Sequence, residues 1–379
     1  MSGMKAAMKI KRIHGIVMLA VAGVVTVVVA LDFLAMRQPL PIFPGPGVTE
    51  VRPLSAYFPA IRGSRGDTEV YFLQGQDPGG TVLVLGGVHP NEASGHVAAV
   101  ILVEKAAVQA GRLIVIPRAN GSGFTHSDPQ EATPQEFGIP TPSGVRRFRY
   151  GSRSTSPMDQ WPDPDIYLHY PSGQTLSGNQ TRNLNRAFPG RPDGNFTEQV
   201  AYAITEIVRR EKVDLLIDLH EASPEYPVIN AIVAHERAMP LAVETVLGLE
   251  LRDIKIGLEP SPQNLHGLTH REIGDHTQAL AVLMETANPA QGRLRGKTSE
   301  ELILTGKDRM YINAYGAKRL YVDFDEKGHP LDRRVCRHLA GIDEFLKAFS
   351  AATPGRAVVL RSLPQPENIR DQGIGAFLN

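Results

Sequence analysis

Five short apolar segments, separated by stretches of helical periodicity, constrain the fold of this chain more than any other feature. The segments are rich in Val, Ile and Leu and cover residues 81–87, 112–120, 213–220, 228–234 and 280–287. Helical patterns cover residues 91–111, 197–212 and 331–349. In the first of these helices, Asn91 is the expected N-cap and Gly111 the expected end. Apolar strands that alternate with helices predict an α/β layer fold with a largely parallel, buried sheet, in which reactive side chains collect at the carboxyl ends of the strands.

The N-terminus contains a separate hydrophobic segment. Residues 15–31 carry no charge and follow a stretch with several Lys and Arg residues. A helix of this length spans about 25 Å, slightly less than the ~30 Å hydrocarbon core of a membrane. We expect residues 1–36 to be an uncleaved membrane anchor and residues 37–50 to be a Pro/Gly linker. A cleaved signal segment is the first alternative, and a buried helix of the globular domain is the second.

The positive-inside rule gives the anchor and the signal segment the same consequence for location. The basic residues that precede the apolar run stay in the cytoplasm, so the main domain crosses the membrane. We therefore expect a membrane-anchored domain on the periplasmic side. If the segment is cleaved, the domain is secreted instead.

Composition bears on the class of function. The 40 Lys and Arg residues balance the 40 Asp and Glu residues, so the chain lacks the strongly basic charge that broad nucleic-acid binding requires, and we expect no nucleic-acid partner. Cys336 is the only cysteine, which excludes an intrachain disulfide and a cysteine-based metal cluster. It lies within the helical pattern of residues 331–349, where core packing is its expected role.

Two regions are less regular. The chain has eight prolines from Pro129 to Pro171, and we expect residues 121–181 to form an irregular, partly ordered loop over one face. Trp161 is expected to anchor this loop by packing, with a role as a substrate platform as the alternative. Residues 353–379 predict a C-terminal tail, with a strand followed by a flexible end.

The first strand runs into "GGVHPNE", which places His89 and Glu92 three residues apart. Gly86 and Gly87 allow the backbone to turn tightly before the following helix. One imidazole and one carboxylate suit Zn²⁺, and a hydrolytic zinc site needs three protein ligands plus a water. A second apolar run ends at His220, which could be the third ligand. Taken alone, a histidine at that edge is as readily explained by packing.

Another strand, "LAVLMETA", contains Glu285 near its end. A carboxylate in an apolar strand is unfavourable if it is buried without a partner. It is better explained as a group that faces a cation or a catalytic water.

The segment "TRNLNRAFPG" contains three polar side chains that could bind a carboxylate: Arg182, Asn185 and Arg186. The planar guanidinium group can form two parallel hydrogen bonds with such a ligand. A solvated loop with surface salt bridges is the alternative. Further along the chain lie three closely spaced histidines, His266, His270 and His276. We expect these histidines to be polar loop surface, and a contribution to the substrate pocket or a second metal site remains open.

In this order the motifs resemble those of the zinc carboxypeptidase family (M14), which has H-x-x-E, an Asn-Arg pair, a distant His and a catalytic Glu. "GGVHPNE", "NLNRAFPG", "DLHEA" and "METANP" are most similar to its succinylglutamate desuccinylase/aspartoacylase branch, over about residues 80–350. One H-x-x-E is expected by chance in a chain with 12 histidines, so the ordered set carries the resemblance. It implies a three-layer α/β/α fold with a mostly parallel mixed sheet, preceded by one N-terminal hydrophobic helix, and a zinc hydrolase domain over residues 51–352.

The resemblance also implies roles for individual residues. One zinc ion would be bound by His89, Glu92 and His220. Glu285 would be the general base and then the proton donor to the leaving amine. A substrate carboxylate would be bound by Asn185 and Arg186. Arg182 is the nearest candidate for the arginine that stabilises the oxyanion, and its competitors in the long loop are Arg146, Arg147, Arg149 and Arg153.

Three departures from the family pattern stand out. Asn183 replaces an Asp that supports a zinc-bound histidine, and it can still accept from an imidazole N–H without contributing a charge. Between Tyr226 and Glu285 there is no Tyr, whereas carboxypeptidases have a mobile Tyr about twenty residues before the catalytic Glu, and this favours the deacylase branch. Pro90 stands where relatives often have Gly and stiffens the turn.

We therefore expect a zinc-dependent deacylase that cleaves an amide bond of an N-acyl amino acid or similar small carboxylate-bearing substrate. Zinc-activated water would attack, with Glu285 as general base. The first alternative is a metallocarboxypeptidase outside the cytoplasm that acts on short or cell-wall peptides. The second is a metal-free binding protein on the same fold. The expected partners are the small-molecule or short-peptide substrate and the membrane, through the N-terminal helix.

Overall fold

The computed structural model describes residues 2–128 and 134–379 and divides the chain into two compact units, Met1–Pro39 and Leu40–Asn379. The first unit is built on helix α1, Ser2–Met36. Its segment Ile10–Met36 is 27 residues long and apolar enough to cross a membrane. One such helix near the N-terminus fits either a membrane anchor or a signal sequence.

The second unit contains a mixed sheet. The strands of the sheet are β1 Glu50–Pro53, β2 Glu69–Gln74, β3 Asp77–Leu85, β4 Ala107–Ile116, β9 Leu215–Ala222, β10 Ala231–Ala234, β11 Gly257–Pro260, β12 Leu280–Ala287 and β13 Val359–Ser362. Two hairpins lie outside it, formed by β5 Glu136–Thr141 with β6 Gly144–Arg149 and by β7 Ile166–Leu168 with β8 Thr175–Ser177. The strand order is β1-β2-β4-β3-β9-β12-β10-β11, with β13 paired to β4. The four central strands, β4, β3, β9 and β12, are mutually parallel, so their carboxyl ends share one edge.

Helices cover both faces of the sheet. Their bounds are α2 Ala93–Lys105, α3 Phe196–Arg210, α4 Met239–Glu250, α5 Thr269–His276, α6 Glu300–Thr305, α7 Arg309–Gly316, α8 Leu331–Ala352 and α9 Pro366–Gln372. Helices α2, α4 and α8 share a buried cluster with Val82 and Val84 of β3, whereas α3 and α5 share one with Leu83 and Leu85. Because successive strand residues point to opposite faces, this division produces three layers. The predicted three-layer α/β/α fold with a mixed sheet is confirmed.

Helix α2 differs from its prediction at both ends. Glu92 is the residue before its first turn, in place of Asn91, and the helix ends at Lys105, six residues before Gly111. Residues after the helix are taken into β4, where Ala110 pairs with both Asp77 and Val359. Gly111, with φ of +75°, instead allows an irregularity within this strand. Sheet pairing has therefore overridden the helical periodicity of this stretch.

The segments expected to extend away from the domain pack against it. In the expected linker, Gly45 N donates to Val103 O at 3.0 Å, and a Cβ on Gly45 would lie 2.1 Å from the carbonyl oxygen of Glu104. At the C-terminus the predicted strand is present as β13, but the expected flexible end is wrong. Ile369, Ile374 and Leu378 are buried because they cover the apolar surface shared by α2 and α8.

The long loop is more ordered than expected. Its β5–β6 hairpin buries Phe137 and Phe148, whose rings stack at 5.7 Å, while residues 129–133, including Pro129, lie outside the described residues. Trp161 is 69% exposed, so the expectation that it anchors the loop by packing is wrong. Cys336 lies half-buried on α8 with its Sγ 3.7 Å from the carbonyl oxygen of Pro366, in agreement with a packing role.

Candidate metal centre and active site

The turn after β3 depends on its two glycines. A Cβ on Gly86 would lie 2.7 Å from the carbonyl oxygen of Gly95, which belongs to α2. Gly87 has φ of +66°, and a Cβ there would lie 2.7 Å from the ring of Phe124. Only glycine avoids both problems, because a side chain would clash and positive φ is unfavourable for other residues. The turn brings His89 and the start of α2 to the carboxyl edge of the sheet.

The parallel register brings the other predicted residues to the same edge. In the β9–β12 pair, His220 lies directly opposite Glu285, so both side chains project from the same face of the sheet. His89, Glu92 and His220 are all buried, and one donor atom from each lies within 4.8 Å of the others. The structure therefore brings the three predicted ligands together, with Glu285 on a neighbouring strand.

Glu92 is at the centre of the cluster. His89 Nδ1 lies 2.7 Å from Glu92 Oε1, and His220 Nδ1 lies 2.8 Å from Glu92 Oε2. The two imidazole rings are nearly perpendicular, with centroids 4.7 Å apart. Each histidine thus directs Nδ1 toward the same carboxylate, and the three side chains face a common point.

The Nε2 atoms of His89 and His220 contact side-chain oxygens of residues outside the cluster. His89 Nε2 lies 2.9 Å from Asn183 Oδ1, as expected from the ability of Asn to accept from an imidazole. His220 Nε2 lies 2.8 Å from Asp218 Oδ2. When Nε2 donates to such an oxygen, Nδ1 keeps its lone pair, which is the arrangement of a metal-binding histidine. Sequence reasoning missed Asp218, although its position two residues before His220 on one strand already placed the two side chains on the same face.

The charges in the cluster favour a cation. Burial lowers the pKa of His89 to about 4, and the nearby Arg153 acts in the same direction. Burial alone would raise the pKa of Glu92, but His89 and His220 hold it well below its usual range. Burial would likewise lower the pKa of His220, yet Asp218 and Glu92 raise it. Two carboxylates around one imidazole require positive charge, and two imidazoles with a carboxylate are a donor set that fits Zn²⁺.

Glu285 has the environment of a general base. Its Oε2 is buried and has no hydrogen-bond partner among the residues that the structure describes. Burial, followed by the charge of Glu92, raises the pKa of Glu285 to about 8. A buried carboxylate oxygen without a partner is unfavourable, so its retention beside the cluster indicates that a proton or a cation compensates it.

The arginine expected to stabilise an oxyanion is not the one that the structure brings to the cluster. The guanidinium of Arg182 donates to both oxygens of Asp163, at 2.6 and 2.9 Å, and to the carbonyl oxygen of Thr155 at 2.9 Å. These bonds hold Arg182 within the long loop. Arg153, named only as a competitor, has its Nη1 3.1 Å from Glu92 Oε1.

The other competitors are paired elsewhere. The acidic partners of Arg146, Arg147 and Arg149 are Glu104, Glu300 and Glu136. We therefore replace Arg182 with Arg153 as the candidate for this role.

The predicted carboxylate-binding pair lies beside the cluster. Asn185 Oδ1 accepts from the backbone N–H of Thr269 at 2.8 Å, which fixes the orientation of the Asn185 amide. Arg186 Nη1 donates to the carbonyl oxygen of Asn185 at 2.6 Å. Burial and the neighbouring Arg153 lower the pKa of Arg186 to about 10, and the charges of Tyr226 and Glu285 oppose this shift. Arg186 has no ion-pair partner within the described part of the chain, so an anionic ligand would satisfy it.

A second group of residues missed by sequence reasoning supports the cluster from the opposite face of the sheet. The side chain of Glu221 accepts from Arg334 Nη1 at 2.6 Å, from Ser94 Oγ at 2.7 Å and from Asn288 Nδ2 at 3.0 Å, all buried. Its backbone N–H donates to Glu92 Oε2 at 2.9 Å. Glu221 thus connects the Glu92 carboxylate to the core. The acid next to His220 in "DLHEA" was the available sequence signal.

No family model matches the chain. A curated relative, an N-alpha-acetyl-L-2,4-diaminobutyric acid deacetylase from Halomonas elongata, is 26% identical over 159 residues, which is 41% of this chain and 33% of the relative. The matched region therefore spans about a third of the length of the curated relative.

Two solved structures illustrate the structural similarity. A succinylglutamate desuccinylase/aspartoacylase from Rhodobacter sphaeroides has a TM-score of 0.37 and 18% identity, over 58% of this chain and 51% of the other. A metallo-carboxypeptidase from Burkholderia cenocepacia has a TM-score of 0.45 and 12% identity, over 85% and 68% of the two chains. Together with the curated relative, the proteins to which this chain is similar are thus a deacetylase, a succinylglutamate desuccinylase/aspartoacylase and a metallo-carboxypeptidase.

Proposed function

We propose that this chain is a zinc-dependent hydrolase that cleaves the amide bond of an N-acyl amino acid or a similar small substrate with a carboxylate. The observation that carries the proposal is the convergence of His89, Glu92 and His220 at the sheet edge where Glu285 presents an unpaired oxygen. His89 and Glu92 come from the turn after β3, whereas His220 and Glu285 lie on β9 and β12. The similarity to a deacetylase and to a desuccinylase supports the same reaction class.

In the proposed reaction the metal would activate water and the carbonyl group, and Glu285 would transfer the proton. When bound by His89, Glu92 and His220, zinc would supply a Lewis acid that activates water and polarises a carbonyl group. Glu285 would take the proton from the attacking water at Oε2 and later donate it to the leaving nitrogen. Its raised pKa suits this double role, since a base with a pKa near the working pH both accepts and returns a proton readily.

Two arginines would act on different parts of the substrate. Arg153 lies against Glu92 and is 42% exposed at its side chain, so it can reach the carbonyl oxygen as negative charge develops there. Arg186, without an acidic partner among the described residues, would bind the substrate carboxylate together with Asn185. These assignments explain why the substrate should be an amide that also has a free carboxylate.

A second candidate function uses the same residues. A metallocarboxypeptidase acting on short or cell-wall peptides also needs a carboxylate-binding arginine beside the metal. The N-terminal helix favours this alternative, because it would hold the unit at a membrane, where such peptides are found outside the cytoplasm. The third possibility, a metal-free binding protein, would leave Glu285 without a function.

The test is a substrate screen with zinc-loaded full-length protein in detergent. Release of acetate or succinate from N-acyl amino acids would support the deacylase, and release of a C-terminal residue from peptides would support the carboxypeptidase. Purified protein that retains no zinc and hydrolyses neither class would contradict the proposal. In that outcome the binding protein becomes the explanation.

A further inference from the structure

A second cluster of possible metal ligands lies outside the site described above. It consists of His169, His266 and Glu272, and one donor atom from each lies within 4.8 Å of the others. His169 follows strand β7, His266 precedes α5, and Glu272 belongs to α5. The rings of His169 and His266 are nearly parallel, with centroids 5.8 Å apart. Three separate chain segments therefore bring donor atoms to one place.

His169 is held in the manner of a metal ligand. Its Nε2 lies 2.6 Å from the carbonyl oxygen of Phe188, which can only accept, so Nε2 is the N–H and Nδ1 keeps its lone pair. Donation from the second ring nitrogen to a backbone carbonyl is the usual support of a metal-binding histidine. Nδ1 faces the hydroxyl of Ser172 at 2.8 Å, a contact that a rotatable hydroxyl can release. The imidazole is 1% exposed, so its orientation is fixed by packing.

Glu272 is a buried carboxylate whose ion-pair partners, within the described residues, are histidines alone. Its Oε1 lies 2.9 Å from His266 Nδ1 and accepts from the backbone N–H of Gly267 at 2.9 Å. Its Oε2 lies 3.1 Å from His276 Nε2. The residue is 1% exposed, and a buried carboxylate requires a positive charge nearby. A divalent cation bound between the carboxylate and the imidazoles would supply this charge.

We propose that His169, His266 and Glu272 bind a second divalent metal ion. Two imidazoles and one carboxylate are the same donor types as in the first cluster and favour Zn²⁺ over Mg²⁺ or Ca²⁺, which prefer oxygen ligands. His276 orients the Glu272 carboxylate through Oε2. His266 is partly exposed and leaves one side of the site open to solvent, where a water can complete the coordination.

The position of this site gives it a role in substrate binding, and this part of the inference rests on the proposed function. Phe188, whose carbonyl oxygen holds His169, lies two residues after Arg186. Gly267 packs so closely on the same turn that a Cβ there would lie 2.3 Å from the carbonyl oxygen of Arg186. Thr269, three residues before Glu272, orients Asn185. The second metal ion would therefore hold together the segments that position Asn185 and Arg186.

Metal content tests the site independently of catalysis. Full-length protein is purified with zinc, dialysed against metal-free buffer and analysed for zinc per chain. We expect two zinc ions in the wild type and one in each of two single variants, His89→Ala and His266→Ala. The matched control is His235→Ala. This variant loses an imidazole that contacts Asp275 of α5, the helix that also contains Glu272, and it should keep two zinc ions.

Thermal unfolding provides a second readout. In the His89→Ala background, added zinc should raise the melting temperature through the second site alone. The double variant His89→Ala/His266→Ala should lose this increase. If both proteins respond equally to zinc, or if the wild type binds one zinc ion and His89→Ala binds none, the second site is refuted.

Kinetics connect the site to its role. If the proposed function holds, His266→Ala should raise KM for the carboxylate-bearing substrate by about tenfold with a smaller change in kcat, because the loss of an outer support typically costs this much. An unchanged KM in a variant that has lost one zinc ion would refute the positioning role. Absence of hydrolysis in the wild type would refute the proposed function, while the metal count would still test the second site.

Discussion

Glu285 lies beside His220 in the β9–β12 register, and its Oε2 is buried without a partner among the described residues. The Glu285→Gln variant keeps the shape of the side chain but cannot take a proton. We expect it to retain zinc and to lose activity by about 100- to 10,000-fold, the usual contribution of a general base. Zinc analysis together with the hydrolysis rate checks this prediction, and full activity in the variant would exclude Glu285 as the base.

The same residue predicts a pH dependence. A general base must be ionised in the free enzyme, so kcat/KM should rise with pH through the pKa of Glu285. Burial and Glu92 raise this pKa from 4.5 to about 8, and a bound cation would lower it again because it stabilises the carboxylate. We expect the acid limb of the pH profile to lie between these two values. A limb at the ordinary pKa of a glutamate would show that burial does not control the base.

The choice between arginines is also decided at the scale of residues. Arg153 contacts Glu92, whereas Arg182 is bound by Asp163 within the long loop. Arg153→Ala should lower kcat by about 100- to 1,000-fold, the usual loss when one oxyanion donor is removed. Arg182→Ala serves as the comparison and should act mainly on the stability of the loop. A larger loss of kcat in Arg182→Ala than in Arg153→Ala would restore the assignment made from the motif.

At the scale of elements, strand β9 holds the site through its two faces. His220 projects toward the candidate metal site, while the adjacent Glu221 projects to the other side and pairs with Arg334 at 2.6 Å. Both charged groups are almost fully buried. The pair fixes β9 against α8, and through the backbone N–H of Glu221 it also fixes Glu92.

Breaking this pair should destabilise the whole second unit. Glu221→Gln leaves the buried guanidinium of Arg334 without a counter-charge, and the expected loss is about 3–5 kcal/mol in the free energy of unfolding. Urea unfolding measures it. The control is Glu206→Gln on α3, whose partners Arg209 and Arg210 are exposed, and it should change stability by less than about 1 kcal/mol. Equal losses in the two variants would show that Glu221 is not a structural anchor.

At the scale of the whole molecule, the N-terminal helix and the α/β domain belong to two separate compact units. If α1 is an uncleaved anchor, the full-length protein should remain in the membrane fraction after alkaline extraction, with its N-terminal residues intact by mass spectrometry. Protease added to the outside of intact cells without an outer membrane should then degrade the α/β unit. Recovery of a soluble protein that begins after about residue 30 would identify a cleaved signal segment instead.

Much of the candidate site follows from local sequence. His220 and Glu285 lie near the carboxyl ends of short apolar strands, and His89 follows the end of another. Parallel strands bring such ends to one edge whatever their separation in the chain. The glycines after β3 and the capping box formed by Asn195 and Glu198 at the start of α3 are equally local. Sequence periodicity therefore predicted the layered fold. It also predicted that His89, Glu92, His220 and Glu285 would lie at the same edge of the sheet.

Other features depend on contacts between distant segments. Arg153 and Arg182 have the same chemistry, and only the path of the long loop decides which one reaches Glu92. Helix α2 ends at Lys105 because the residues that follow form β4, which pairs with both β3 and β13. The cluster of His169, His266 and Glu272 unites positions nearly a hundred residues apart. The sequence by itself determined which residues end the strands, since that is a matter of local backbone preference; the tertiary structure decided which charged side chains meet, since burial and pairing depend on the packing of the whole chain.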